Sequence, residues 1–392
     1  MNMEENDGPA EGDRNEPEGG GGGDGWERNI GEDGGDEELQ PFDISLAALH
    51  SYMGAGLVAV RGRCVLEAGW EGRVPVVAHH GAVFPGETVP MLLQNSQDVA
   101  MLTRTLKEDK LFGLLCPDET GTMVSGYGVL CEVFEAGTEE QAPASGLPFK
   151  ARARHRFRLI ETPKQSVPLY VFTRMRMADV VVLPEVAPGD PLRMARLPRR
   201  MDAAATPWPL FVYDMVEYNR MRRIIQDHFR MMLMNRVPTD PVSLSFWTAS
   251  NLALSARDRL ALFVVDNALL RLHMEVRMIQ SEGALCCGAC SAEVSRRHNT
   301  FAMSSEGVHS NYTNLGGFVH DVVTVADANV ALSGAPSSEY SWFPGYAWTV
   351  ALCWSCGAHV GWRFDASSRT LRPSQFFALC RDRVQPRAPN EH

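Results

Sequence analysis

No stretch of this sequence is long and apolar enough to span a membrane, which needs ~20 residues with few charges. Residues 1–30 also lack the apolar centre of a secretory leader, so the expectation is an intracellular protein, cytoplasmic and nuclear, with no membrane partner. Basic charge is scarce as well. The formal net charge is -11, and no basic patch interleaved with aromatics stands out, which argues against direct nucleic-acid binding.

Catalytic signatures are missing too. There is no Gly-x-x-x-x-Gly-Lys phosphate loop, no Gly-x-Ser-x-Gly elbow and no His-Glu-x-x-His helix. His309, His320 and His359 stand alone in the sequence, and Glu339 has no partner carboxylate at acid–base spacing. The reading is of a binding protein, not an enzyme.

The negative charge is local. Met1 to Gln40 carries 14 acidic residues against Arg14 and Arg28, together with the glycine run Gly19 to Gly23. So little apolar surface cannot offset the entropy of ordering the chain, so residues 1–40 are expected to be a disordered acidic tail. The rest is balanced in charge and rich enough in apolar residues for several domains.

Cysteines supply the strongest pattern. Cys287-Gly-Ala-Cys290 and Cys353-Trp-Ser-Cys356 are two Cys-x-x-Cys knuckles separated by 62 residues. Four thiolates in two pairs are a tetrahedral set for one Zn²⁺, with no position left for a catalytic water, so the metal is expected to be structural and to clamp the ends of a small domain. A redox dithiol or two unrelated surface pairs are the competing readings. Cys64, Cys116, Cys131, Cys286 and Cys380 are expected to stay reduced, and the Asn311-Tyr312-Thr313 sequon unmodified.

Periodicity divides the body. From Phe42 to about Ala205, short apolar runs broken by Gly and Pro read as many short strands, among them Leu57 to Val60, Val129 to Phe134 and Arg154 to Leu159. From Trp208 to Glu282 the period becomes helical. Phe211, Met215, Tyr218, Ile225, Phe229 and Met232 fall near helical spacing, Asp240-Pro241 starts one helix, and Ser255 with Asp258 is a capping box opening a long helix toward Gly283. Strands return after Cys286, where Tyr346 to Leu352 and Gly361 to Phe364 each turn their large residues to one face. Trp342, Trp348 and Trp362 then either converge as a flat-walled aromatic cage or form an aromatic core sealing the metal layer.

These residues carry a family resemblance. Ser338 through Cys353, followed by Gly361, Trp362 and Phe364, resembles the thalidomide-binding domain of the cereblon family. Val83 through Met91 and Arg154 through Phe157 are similar to the N-terminal domain of Lon proteases, which that family shares; the Lon ATPase and peptidase parts are absent. The resemblance implies an α+β multidomain protein. Its parts would be the tail (1–40), a Lon-like β domain (41–205), a helical bundle for adaptor docking (206–282) and a zinc-pinned antiparallel β domain (283–387).

It further implies a non-catalytic substrate receptor of a cullin-RING ubiquitin ligase, bound through the helices to the damaged-DNA-binding adaptor. Its ligands would be thalidomide-like molecules and protein substrates with cyclic imide ends. Trp342, Trp348 and Trp362 would form the pocket, with Phe364 as floor, Tyr346 beside it and Asn314 at the rim. The backbone of Tyr340, Ser341 and Trp342 would pair with the imide, and Cys287, Cys290, Cys353 and Cys356 match the zinc ligands. Two rivals remain at this stage: a methionine sulfoxide reductase, for which Cys286 and Cys380 are the spare thiols, and a methyl-lysine reader, since aromatic cages favour cations.

Overall fold

The computed structural model describes residues 38–387 apart from 55, 62–64, 138–145, 161–166, 188–216, 233, 235 and 282. The acidic tail up to Glu37, Cys64, and the start of the expected helical region with Trp208, Phe211 and Met215 lie outside the described residues.

The described chain opens with β1 (Gln40–Pro41) and α1 (Ser45–Ala48), then β2 (Val58–Ala59), β3 (Glu71–Ala78) and β4 (Thr88–Leu93). A helix, α2 (Ser96–Lys107), follows, and then β5 (Leu111–Pro117), β6 (Val124–Ala136), β7 (Leu147–Leu159) and β8 (Arg176–Val182). The sheet order is β2-β6-β5-β3-β8-β7-β4, and β6 also pairs with β7. Five strands therefore close into a barrel, the arrangement that leaves fewest unpaired edges.

Its interior is filled by Val76, Leu115, Leu130, Phe157, Leu159 and Val180, all buried. Phe157 can occupy the centre because Gly113 and Gly128 face it. A Cβ on either would come within 2.9 Å and 2.4 Å of the ring, which close packing does not allow.

Among the described residues four helices follow: α3 (Tyr218–Arg230), α4 (Pro241–Asn251), α5 (Ala256–Phe263) and α6 (Ala268–Gln280). The caps expected at α4 and α5 are present, with the Asp240 side chain accepting from Ser243 N and Ser255 from Asp258 N. The expected single long helix after Ser255 is instead two. Asn267 accepts from Leu270 N and starts a new helix, while the buried Arg156 of β7 donates to the Phe263 carbonyl and pairs with Asp266 at 3.0 Å. A buried guanidinium thus satisfies the end of α5, where the chain would otherwise leave carbonyls unpaired.

The remaining strands are β9 (Ala284–Cys287), β10 (Glu293–Arg296), β11 (His309–Thr313), β12 (Val319–Val325), β13 (Val330–Ser337), β14 (Tyr346–Cys353), β15 (His359–Ala366), β16 (Leu371–Arg372), β17 (Gln375–Cys380) and β18 (Val384–Arg387). All but β16, which pairs with β1, form an antiparallel six-stranded sheet, β11-β12-β17-β15-β14-β13, and a three-stranded one, β10-β9-β18. The α+β class is as expected.

One placement differs from the reading of the sequence. Residues 40–53 pack mainly on the last sheet, with Lys150 of β7 reaching the Leu49 carbonyl at 2.6 Å: β1 pairs with β16, and Phe42 and Ala47 belong to the aromatic cluster of Phe343, Tyr346, Phe364 and Phe376. Phe42 meets the Tyr346 ring edge-on at 5.5 Å, so aromatic packing decided the position, not chain proximity. The sheet in turn touches the barrel, since Asn311 on β11 donates to the Thr88 carbonyl and to Glu87, each at 3.2 Å.

Candidate metal centre and binding pocket

The two knuckles have the same main-chain design. Cys287 N donates to Ala292 O and Ser291 N to Cys287 O; likewise Cys353 N donates to Ala358 O and Gly357 N to Cys353 O. The tight turn in each needs a left-handed residue, Ser291 at φ 63° and Gly357 at φ 72°. The four Sγ atoms lie within 4.8 Å of one another. Cys287 and Cys356 are 3.7 Å apart, and Cys290 and Cys353 are 3.6 Å apart. A disulfide would bring sulfurs to about 2.05 Å. Four thiolates about 2.3 Å from a tetrahedral ion would sit roughly 3.8 Å from each other, so the donor set fits one metal ion. It lies where the small sheet meets the end of β14, and so joins the two sheets.

The three indoles do converge. Trp342, Trp348, Trp362 and Phe364 line one cavity of about 320 Å³ with Asn314, Leu315, Gly316, Glu339 and Tyr340 around it. The β14–β15 register sets Trp348 opposite Phe364, and Trp362 opposite Val350. Residues two apart on a strand share a face, so the large side chains of both strands stand together. Trp342 arrives from the turn before β14 and meets the Trp362 ring at 4.8 Å and 74°.

The walls are fixed from behind. Trp342 Nε1 donates to Thr313 O at 3.2 Å, and Trp348 Nε1 donates to Glu339 O at 2.8 Å. Tyr312 stacks on Trp342 with 10° between the rings. His320 lies 5.0 Å edge-on from Trp362, and its Nε2 is 3.2 Å from the Asn314 amide. Burial lowers its pKa to about 4, so the imidazole is neutral at pH 7 and accepts from Asn314. Tyr340 is held at φ 54°, its ring edge-on to Tyr52 at 5.1 Å.

Two of the expected residues stand off the lining. Tyr346 is 1% exposed; it packs on Phe376 behind Phe364 and donates its hydroxyl to the Pro373 carbonyl. Ser341 turns its hydroxyl to the Phe343 carbonyl. Both side chains support the pocket rather than face it, which leaves the main chain of Ser341 as the part expected to meet a ligand. Conversely, Leu315, Gly316, Tyr312 and Thr313 have roles that nothing in the sequence announced, beyond the Asn314-Leu-Gly-Gly turn signal. Cys286 and Cys380 are buried away from the lining.

No family model matches the chain. Among curated proteins, cereblon of Danio rerio is 29% identical over 398 residues, covering 92% of this chain and 91% of that protein. Cereblon of Gallus gallus is 29% identical over 386 residues, 89% of this chain and 85% of the other. Cereblon of Drosophila grimshawi is 31% identical over 376 residues, but the chain spans 55% of that longer protein. A crystal structure of a Lon N-terminal domain protein from Xanthomonas campestris overlaps 53% of this chain at 15% identity, with a TM-score of 0.35, too loose to bear on the fold. Among the described residues no helix is long and apolar enough to cross a membrane.

Proposed function

We propose that this chain, similar to cereblon of Danio rerio over 92% of its length, is the non-catalytic substrate receptor of a cullin-RING ubiquitin ligase, binding cyclic imides in the tri-tryptophan pocket. The observation that carries this reading is the pocket itself: three indoles around a cavity of about 320 Å³, at the small end of ligand sites, with Phe364 beneath.

A cyclic imide is a flat ring carrying one N–H between two carbonyls. Indole faces take the ring, and main-chain groups of the turn from Tyr340 to Trp342 take the polar edge. The indole N–H groups of Trp342 and Trp348 are already committed to Thr313 and Glu339, so they stiffen the slot without competing for the ligand. At roughly 0.7 kcal/mol for each of about eight heavy atoms, an isolated imide would bind with about 6 kcal/mol, in the tens of micromolar. The remainder of a protein substrate ending in such a ring would add affinity outside the slot. Cys287, Cys290, Cys353 and Cys356 would hold one Zn²⁺, whose contribution is to fold the sheet that carries the pocket. Docking to the damaged-DNA-binding adaptor is assigned to the helical part.

One observation favours a second reading. Glu339 lines the pocket, and an acid beside indoles is what a methylated lysine would use. Tryptophan fluorescence titrated with glutarimide and with trimethyl-lysine separates the two. The expected result is a response to glutarimide that disappears in Trp348→Ala; a response to the cation alone would overturn the imide reading. Purification from cell lysate should bring down the adaptor and cullin, and their absence would remove the ligase assignment while leaving the pocket.

A further inference from the structure

β11 is an edge strand of the six-stranded sheet, and its last residue, Thr313, is buried. Asn314 N donates to Phe318 O across the turn to β12. Antiparallel pairing alternates along a strand, so the N–H of Thr313 turns away from β12. A buried N–H in that position costs desolvation energy unless something accepts from it. The acceptor lies 261 residues upstream: it is the hydroxyl of Tyr52, at 3.1 Å. Tyr52 sits in the short turn Ser51–Met53, after His50 at φ 49°, and His50 Nδ1 lies 3.2 Å from the same hydroxyl. That segment has anchors of its own. Lys150 Nζ donates to the Leu49 carbonyl at 2.6 Å, and Ser305 N donates to Ile44 O at 3.0 Å.

Two walls of the tri-tryptophan pocket lead back to Tyr52, which is not itself in the lining. One runs through Thr313, whose carbonyl accepts from Trp342 Nε1 at 3.2 Å and whose next residue, Asn314, belongs to the rim. Tyr312, stacked on Trp342, is also 6.2 Å from the Tyr52 ring. The other runs through Tyr340, which the Tyr52 ring meets edge-on at 5.1 Å. Tyr340 is at φ 54°, a left-handed conformation that its own Cβ disfavours, so a ring packed against it helps to keep it there.

We propose that Tyr52 is a positioning residue of the pocket: its hydroxyl sets Thr313, and with it Trp342 and the Asn314 rim, while its ring holds Tyr340 in place. Ring packing and the knuckles fold the sheet, and Tyr52 sets how closely two of the pocket's walls fit a flat ring. In so small a slot that fit governs affinity, because a gap of about 0.5–1 Å already forfeits a quarter to a half of the contact attraction.

Tyr52→Phe in the full chain keeps the ring and deletes the acceptor. With a cyclic imide as the ligand, the reading on which this assignment rests, the variant should bind glutarimide about fivefold more weakly by tryptophan fluorescence, the factor that one lost neutral hydrogen bond produces. Titration well below the thermal midpoint of each protein leaves affinity unmoved by a loss of stability alone. The Trp342 indole N–H resonance, identified by its absence in Trp342→Phe, should shift in Tyr52→Phe before any ligand is added. Tyr52→Leu, which also takes the ring from Tyr340, should weaken glutarimide binding further, by about tenfold or more. Tyr52→Phe that binds glutarimide within about twofold of the wild type overturns the proposal, whatever happens to the indole resonance. If the wild type itself gives no response to glutarimide, the imide reading falls. The indole resonance then decides the positioning role alone: a shift in Tyr52→Phe supports it, and an unmoved resonance overturns it.

Discussion

The sheet that carries the pocket and the seam that joins it to the barrel are held together by opposite means. In the sheet, Trp342, Phe343, Tyr346, Phe364 and Phe376 lie within a short stretch of chain and pack ring on ring, and two knuckles clamp the far end. In the seam, residues far apart in sequence meet through charge. Arg259 of α5 donates to the Ala82 carbonyl and to Glu87, and Glu87 accepts from Asn311 of β11. Aromatic packing tolerates small displacements, whereas a buried guanidinium with one partner removed leaves a charge that nothing nearby can neutralise. The sheet is therefore built to keep its shape alone, and the seam to be all-or-none.

Removing the clamp is the harshest test of that contrast. Cys353→Ser takes one of four sulfurs from the proposed zinc site, and in small structural zinc sites metal binding and folding are one event worth of the order of 10 kcal/mol. The expected outcome is loss of about one zinc per chain by metal analysis, together with loss of glutarimide-dependent fluorescence change. Far-UV circular dichroism from the barrel should persist. If zinc is lost and the pocket still binds, the aromatic layer suffices without the metal.

Next comes the seam. Arg259 is 2% exposed, stacks over Phe84 at 4.8 Å and pairs with Glu87 at 2.7 Å. Arg259→Met keeps the volume but strands Glu87, at a cost of about 3–5 kcal/mol. The double variant with Glu87→Gln should recover most of that, as measured by urea denaturation. A single variant as stable as wild type would mean the seam is packed, not paired.

Acid should act on the same boundary. Burial lowers the pKa of His50 to about 3, and of His79 and His320 to about 4. All three sit where the sheet faces the barrel: His50 near Lys150 and Tyr312, His79 near Arg259, and His320 beyond Phe318, whose ring lies 4.3 Å from His80. Between the unfolded value near 6.5 and the folded values, the unfolded chain binds more protons, so stability falls as pH drops through that window. Each fully buried histidine contributes at most about 1.4 kcal/mol per pH unit, and the partly buried His320 less. Thermal midpoints should decline from pH 6.5 to 4, and His79→Gln should flatten the slope. A flat wild-type profile would show that water reaches these rings.

How much of this was readable beforehand follows the same divide. The knuckles and the indoles were legible because their signal is local: Cys-x-x-Cys spacing, and alternation on two strands that pair as neighbours. The caps at Asp240 and Ser255 were legible for the same reason. The family resemblance implies Tyr346 beside the pocket, yet the ring that buries it, Phe376, comes from β17, and its hydroxyl donates to the Pro373 carbonyl. The position of residues 40–53 and the break before Asn267 each depend on a partner more than a hundred residues away, Leu371 in one case and Arg156 in the other. Nothing in a window of sequence encodes such contacts.

The smallest effect probes the clamp's own symmetry. Both knuckles close through the same pair of main-chain hydrogen bonds, but one left-handed position holds Gly357 and the other Ser291. A side chain there costs about 1–2 kcal/mol, while glycine gives up roughly 0.5–1 kcal/mol of unfolded-state entropy. Ser291 also receives a hydrogen bond from exposed Arg387 at 3.0 Å, a contact worth little in water. Ser291→Gly should therefore stabilise the metal site by no more than about 0.5 kcal/mol, and Gly357→Ala should destabilise it by about 1 kcal/mol. Chelator competition resolves both, as a rise in zinc retention for the first and a fall of about fivefold for the second. If Gly357→Ala retains zinc as well as the wild type, the two knuckles carry unequal loads, and the sheet depends on the Cys287 side of the clamp more than on the Cys353 side.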